Sequence, residues 1–335
     1  MEELTSFLSL LGEEVEDAEE EAFYLFAQDI PSSNLGFVDS RATTVDLTIH
    51  NQDYIIHQSP TLLSSSRAGG TTGAVLWKIT PLFSEWLSSP NNPLWTQSLL
   101  SASSTLVELG CGISGLNALT LAPKVHHYIA TDQEYVHRLF RQNIETNYQA
   151  STTAKASKSR KQQNQQQQQS KRKPKQQQQN PSQTTSSPNI TFTSLDWELD
   201  VAGSLKASVG LESLPLENGD GNDSNEEEEK EVDRGFDFLV SCDCIYNDAL
   251  VAPFVRTCAD ICRLRPVYTS EDHGGKRGRA PTICLIAQQQ RSPEVFEAWL
   301  QETLRVFRVW RVTDDVLGER LKSGTGYLVH LLLLR

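Results

Sequence analysis

Gly110, Gly112 and Gly115 fall at G-x-G-x-x-G spacing, directly after the apolar run Thr105-Leu106-Val107-Glu108-Leu109 and just ahead of Leu116-Asn117-Ala118-Leu119. A strand, a glycine turn and a helix in that order let the backbone bend sharply and approach a ligand with no Cβ in the way. The next apolar run, residues 126–132, ends in Asp132. A carboxylate at that point can accept both hydroxyls of a ribose. The glycine spacing alone is a weak signal; its place after a strand, with Asp132 following, makes it a prediction of a nucleoside-binding α/β domain.

The rest of the chain agrees with that prediction. After the glycine turn come an amphipathic helix over 133–147, a strand over 189–197, and a strongly apolar strand over 236–247. A helix over 249–264, a strand over 281–290, a helix over 293–307 and a final strand over 325–335 complete the alternation. Alternating strands and helices predict a parallel sheet with helices on both faces, and ligands in such sheets bind where strands end. Upstream, residues 1–35 read as an acidic helical lead-in. Residues 40–60 alternate polar and apolar like a hairpin, with Asn51-Gln52-Asp53 as its turn. Val75, Leu76, Ile79, Leu82, Phe83, Trp86 and Leu87 keep helical spacing, with Pro81 expected to kink or divide that helix.

Two segments cannot form a core. Residues 151–189 alternate glutamine runs with basic clusters, and 203–234 carries the acidic run Glu226 to Glu229. Both read as disordered, solvated insertions, although the basic clusters could serve nuclear import or RNA contact. The net charge of -13 disfavours non-specific nucleic-acid binding and favours a basic partner. The acidic N-terminus is unlike a secretory signal, and no stretch is long enough to span a membrane. The six cysteines lie mostly in apolar runs and read as reduced thiols of a cytoplasmic protein. A zinc site of Cys242, Cys244, Cys258 and Cys262 is a weaker alternative, because structural zinc favours C-x-x-C pairs; no metal is expected.

Two cofactors fit a glycine turn of this kind, NAD and S-adenosylmethionine. The dinucleotide rests its pyrophosphate on the helix N-terminus, where the nearby charge of Glu108 would repel it. S-adenosylmethionine carries a sulfonium and an ammonium, which a carboxylate favours. The sign of charge therefore selects the methyl donor, with an NAD-dependent oxidoreductase as the competing enzyme class.

These residues resemble the family-16 seven-strand methyltransferases. VELGCGISGL, ATD, LDW, CDCIYN and the upstream TGAVLWKITPLFSEWL carry the likeness, which covers most of 40–335 outside the insertions. Within that family the fungal ribosomal lysine N-methyltransferase group is most similar. The resemblance implies a Rossmann-like seven-strand α/β sheet with helices on both faces. It divides the chain into an N-terminal extension with a β-hairpin (1–70) and a methyltransferase domain (71–335).

It also implies site roles. Trp77 lines the cofactor pocket; Gly110-Cys111-Gly112 passes beneath the methionine part, supported by Glu108; Asp132 holds the ribose. Trp197 lies against the adenine, and Cys242 touches the cofactor near the reacting centre. Asp243 and Tyr246 form a D-x-x-Y motif associated with an acceptor lysine. An Asn-Pro-Pro-Tyr motif is absent, which counts against a nucleic-acid base as acceptor. Cys242 stands where relatives often have Ala or Ser. Each residue also has a purely structural reading: Trp77 could pack in the core on a helix face, and Tyr246 could cap a strand. Asp243 sits in an apolar run, where an unpaired carboxylate is costly, so a role there is favoured. The expected substrate is a basic protein, a large-subunit ribosomal protein by resemblance, in the cytoplasm or the nucleus, with the enzyme a monomer. A methyltransferase fold retained only as an interaction module is the third reading.

Overall fold

The computed structural model describes residues 2–31, 33–67, 70–149, 189–207, 235–265 and 280–335. Residues 151–188 and 208–234 of the two insertions, and 271–279 of the Gly/Arg-rich loop, lie outside them. The second insertion is shorter at its front than its composition suggests, because Ser204–Ala207 makes a helical turn with Leu205 fully buried.

Two helices open the chain, α1 (Glu2–Leu11) and α2 (Ala18–Phe26). Each presents one apolar stripe, and the two stripes go to opposite faces of the main sheet. Leu4, Phe7 and Leu11 join the core on one face; Ala18, Ala22 and Leu25 join the core on the other. The hairpin of β1 (Thr44–Ile49) and β2 (Gln52–His57) follows. Its turn is His50-Asn51, both with positive φ (48° and 64°), and Ile49 pairs with Gln52. That is the two-residue turn whose twist suits a hairpin, so Gln52 and Asp53 belong to the strand and not to the turn.

α3 (Ile79–Ser88) begins later than its apolar spacing suggests. Pro81 sits in its first turn, where no intrahelical amide is needed, and neither kinks nor divides it. Extended upstream, the helix would set the Pro81 ring against the carbonyl of Trp77. Trp77 therefore lies on an extended segment that bridges to Phe37, not on a helix face.

β3 (Thr105–Leu109), α4 (Leu116–Leu121), β4 (His127–Asp132), a helix α5 over 137–149 and β5 (Ile190–Ser194) make the first half of the sheet domain. β6 (Phe238–Cys242), α6 (Val251–Arg263), β7 (Ile283–Gln289), α7 (Pro293–Leu304), β8 (Phe307–Arg311) and β9 (Tyr327–Leu334) make the second. The seven strands are ordered β5-β4-β3-β6-β7-β9-β8. The first five are parallel; β9 runs antiparallel to both β7 and β8. The sheet is thus mixed rather than wholly parallel. The helix read over 293–307 ends at Leu304, and its last residue opens β8, which the periodicity did not separate.

Alternate strand residues feed two cores. Leu106, Tyr128, Val240 and Leu285 face α1, the hairpin, α3, α4 and α5. Val107, Ile129, Leu239 and Ile286 face α2, α6 and α7. Each fully buried aliphatic or aromatic side chain contributes about 1.5–3 kcal/mol relative to exposure. The strand order reverses between β3 and β6, and in sheets of this type the crevice lies beyond the carboxyl ends of those two strands.

Candidate active site

A cavity of about 440 Å³ opens at that switch point. Its walls come from the turn after β3, the end of β4, the loop after β5, the end of β6 and the segment before α3. Trp77, Gly110, Cys111, Gly112, Asp132, Trp197, Cys242, Asp243 and Tyr246 all line it. Nine of the ten residues singled out from the sequence are brought together in one place. Glu108 is the tenth, and its side chain is not in the lining.

Glu108 sits on β3, where side-chain alternation turns it into the core. It is fully buried, accepting hydrogen bonds from Asn117 Nδ2 (2.7 Å) and the Tyr128 hydroxyl (3.0 Å). Burial pushes its carboxyl up to about 7, against those two hydrogen bonds. Its charge therefore does not decide what the glycine turn binds. The backbone of that turn does.

Four successive amides of the turn, those of residues 110 to 113, are already bound within the protein. Gly110 and Cys111 donate to the Thr131 carbonyl (2.9 and 3.0 Å), and Ile113 donates to the Gly73 carbonyl (2.9 Å). The Gly112 amide donates to Asp132 Oδ2 at 2.8 Å. A pyrophosphate needs these donors free, and here a carboxylate occupies the cradle. Gly110, at φ 70°, must be glycine for a second reason: a Cβ there would strike Cys244 Sγ and the Trp197 ring.

Asp132 also accepts from the Gln133 amide at 2.7 Å. Burial pushes its carboxyl up to about 6, while these two amides and the nearby Arg67 pull the other way. Each carboxylate oxygen has two lone pairs, so capacity remains for two ribose hydroxyls. Trp197 sits over the turn, edge-on to Phe254 at 5.1 Å. The indole lines the cavity, while its Nε1 is buried with no hydrogen-bond partner. Carboxylate, indole and glycine floor together fit an adenosine that carries no phosphate.

The far end of the cavity is closed by the segment before α3. Thr72 Oγ1 donates to the Tyr246 hydroxyl at 3.0 Å, and the Gly73 amide donates to the Tyr135 hydroxyl at 3.2 Å. Trp77 Nε1 donates to the Thr72 carbonyl at 3.0 Å. Gly73 lies close over the turn; a Cβ on it would come within 2.9 Å of the Tyr135 hydroxyl and 3.4 Å of Gly112 Cα. Behind it, Asn143 on α5 accepts from the His57 amide (2.7 Å) and donates to the Ile113 carbonyl (2.7 Å), tying hairpin to turn. Cys242 Sγ lies 3.8 Å from Thr80 Oγ1. Tyr246 is part-exposed at the mouth, and burial raises its hydroxyl, keeping it protonated.

Asp243 is not the free carboxylate its motif suggests. Both oxygens are held by Arg291, at 2.5 and 2.6 Å. No local pattern points to Arg291, which is distant along the chain and belongs to no motif. Tyr135 and Gly73 went unnoticed too, although Gly73 lies inside the quoted TGAVLW segment. The four cysteines of the zinc alternative do not converge: Cys242 belongs to one core and Cys244, Cys258 and Cys262 to the other. Among the described residues no cluster of His, Cys, Asp or Glu could hold a metal ion.

A mixed seven-strand sheet with a cavity at its switch point, lined by a carboxylate, an indole and a glycine turn, is a Rossmann-like arrangement suited to holding a nucleoside. The family described as lysine methyltransferase matches residues 56–177, from the hairpin through α5. That match takes in a little over a third of the chain. A "Ribosomal lysine N-methyltransferase 5" of Zygosaccharomyces rouxii is 29% identical over 254 residues, covering 72% of this chain and 67% of the relative. One of the same name from Vanderwaltozyma polyspora is 26% identical over 324 residues, covering 86% and 89%. A "Diaminohydroxyphosphoribosylamino-pyrimidine deaminase" of Schizosaccharomyces pombe is 36% identical over 134 residues. That match takes in 40% of this chain and spans about a third (32%) of the relative's length.

Proposed function

We propose that the protein transfers a methyl group from S-adenosylmethionine to the ε-amine of a lysine on a basic protein, a large-subunit ribosomal protein, in the cytoplasm. The observation that carries this reading is the Gly112–Asp132 hydrogen bond, with the other three turn amides also satisfied. It takes four of the turn's amides away from a phosphate of the kind an NAD-dependent oxidoreductase holds, and it supports a ribose-binding role for the Asp132 carboxylate. The names of the yeast relatives support a ribosomal acceptor. The net charge of -13 suits a basic one.

When bound, the cofactor supplies a methyl on a positively charged sulfur; that bond's electron pair returns to sulfur as the amine nitrogen bonds to carbon. The chain's own task is alignment, and positioning of this kind can supply roughly 7–11 kcal/mol. Asp132 and Trp197 fix the nucleoside end. Thr72 and Trp77 close the opposite wall, and Tyr246 stands at the mouth with a protonated hydroxyl facing the incoming side chain. A free lysine has a pKa of about 10.4, so the acceptor must lose a proton before it can attack. Desolvation beside Trp77 and Tyr246 favours the neutral amine, and the open mouth lets the proton leave to water. No helix among the described residues is long and apolar enough to cross a membrane.

The test is incubation of the purified chain with labelled methyl donor and isolated large-subunit ribosomal proteins and RNA. The expected result is one labelled basic protein, with mass spectrometry placing the methyl on lysine. Label in the RNA, or in no protein at all, would overturn the proposal; the second outcome would favour a fold kept only for interaction.

A further inference from the structure

The proposed acceptor end already contains a cation. Arg291 follows the end of β7 and clamps both oxygens of Asp243 through two guanidinium nitrogens, at 2.5 and 2.6 Å. The Asp243 side chain is only 2% exposed and that of Arg291 is 23% exposed. The guanidinium carbon stands 4.6 Å from the centroid of the Trp77 ring. Asp243 itself is rigid: its φ is 64°, its amide donates to the Ala287 carbonyl at 2.7 Å, and Oδ1 also accepts from the Gln289 amide at 3.2 Å. Trp77 and Asp243 both line the cavity, and Arg291 contacts them both from outside that lining.

We infer that Arg291 is a positioning residue for methyl transfer: by pairing with Asp243 it cancels the buried carboxylate beside Trp77, so that the incoming lysine does not find that anion as a partner for its ammonium. The inference rests on the lysine-methylation reading above and deepens it. An opposite charge within about 4–6 Å stabilises an ammonium by roughly 1–3 pKa units. A methyl transfer needs the nitrogen lone pair, so such a carboxylate left free would oppose the reaction. Arg suits the role because its guanidinium does not deprotonate and matches a carboxylate with two parallel hydrogen bonds. Stacking on Trp77 holds it in place.

The other groups facing Asp243 do not replace that cancellation. Tyr327 opens β9, Cys242 ends β6, and Cys244 and Tyr246 come from the loop beyond. Burial raises all four, and they stay neutral at neutral pH. Asp132 stands at the end of β4, bound by two amides and the nucleoside end. Removing Arg291 therefore adds one unbalanced negative charge. While the Asp243 carboxylate stays ionised it pairs with the lysine ammonium and holds the proton that must leave before transfer.

The test compares the pH dependence of kcat/KM for the wild type, Arg291→Met, Arg291→Lys and the double variant Arg291→Met with Asp243→Asn. S-adenosylhomocysteine affinity serves as the check on folding. Arg291→Met should move the profile to higher pH by about one unit or more, with roughly tenfold loss at pH 7, while cofactor affinity stays within a few fold. The double variant should move the profile back, and Arg291→Lys should keep it near the wild-type position. A lower rate with an unmoved profile in Arg291→Met would overturn the inference, as would a shift that persists in the double variant. Should Arg291→Met lose cofactor binding, the comparison of Arg291→Lys with the double variant decides: both must keep the wild-type profile. A wild type that methylates no lysine would sink the functional reading along with this one. A wild type that does so, with an unmoved Arg291→Met, would sink this inference alone.

Discussion

Two buried carboxyl groups lie on adjacent strands beneath the cofactor cavity, and burial raises both: Glu108 from 4.5 to about 7, Asp132 from 3.8 to about 6. A carboxyl raised on folding binds its proton more tightly in the native state. Stability from Glu108 is therefore full below about pH 4.5 and is lost as pH rises through about 7. The size of that shift corresponds to an effect on the order of 3 kcal/mol. Glu108→Gln removes the titration while keeping a group able to bond Asn117 and Tyr128. Melting temperatures at pH 5 and pH 8 should therefore fall less in the variant than in the wild type; an equal fall would contradict the assignment. This residue also shows a limit of reading charge from sequence. Glu108 stands next to the glycine turn along the chain, but strand alternation points it into the core, away from the ligand. Asp132 ends its strand, and its side chain faces the crevice, where the sequence reading expected it.

Among the elements, the strand–turn–helix at 105–121 was legible because glycine spacing and apolar length agree. Trp77 was not, because its spacing fits a helix that Pro81 forbids from reaching back that far. β8 was hidden for a similar reason: Val306 and Phe307 continue the helical spacing of α7, and only tertiary pairing with β9 makes Phe307–Arg311 extended. The N-terminal helices read as a lead-in, yet both pack into the sheet domain. Phe7 is fully buried in the core that also holds Leu106 and Leu285. Phe7→Ala should then destabilise the whole protein by about 3–5 kcal/mol, seen as a lower denaturant midpoint of the single unfolding transition. A loss below about 1 kcal/mol, or a separate early transition for the N-terminus, would show that α1 is an appendage.

At the scale of the whole molecule, sheet order and cavity belong together. The reversal between β3 and β6 places the glycine turn, Asp132 and Asp243 around one opening, with Arg291 paired to Asp243 from 181 positions beyond Gly110 in the chain. Short motifs at strand ends disclosed most of that opening. The ion pair was invisible because no local pattern links a loop after β6 to one after β7. The central claim is that the opening takes a phosphate-free adenosine with Asp132 on its ribose. Titration calorimetry with S-adenosylhomocysteine and with NAD, on the wild type and Asp132→Asn, measures this directly. The account predicts saturable binding of S-adenosylhomocysteine, at least about tenfold weaker in the variant, and no binding of NAD. Tight binding of NAD with no heat from S-adenosylhomocysteine would contradict it.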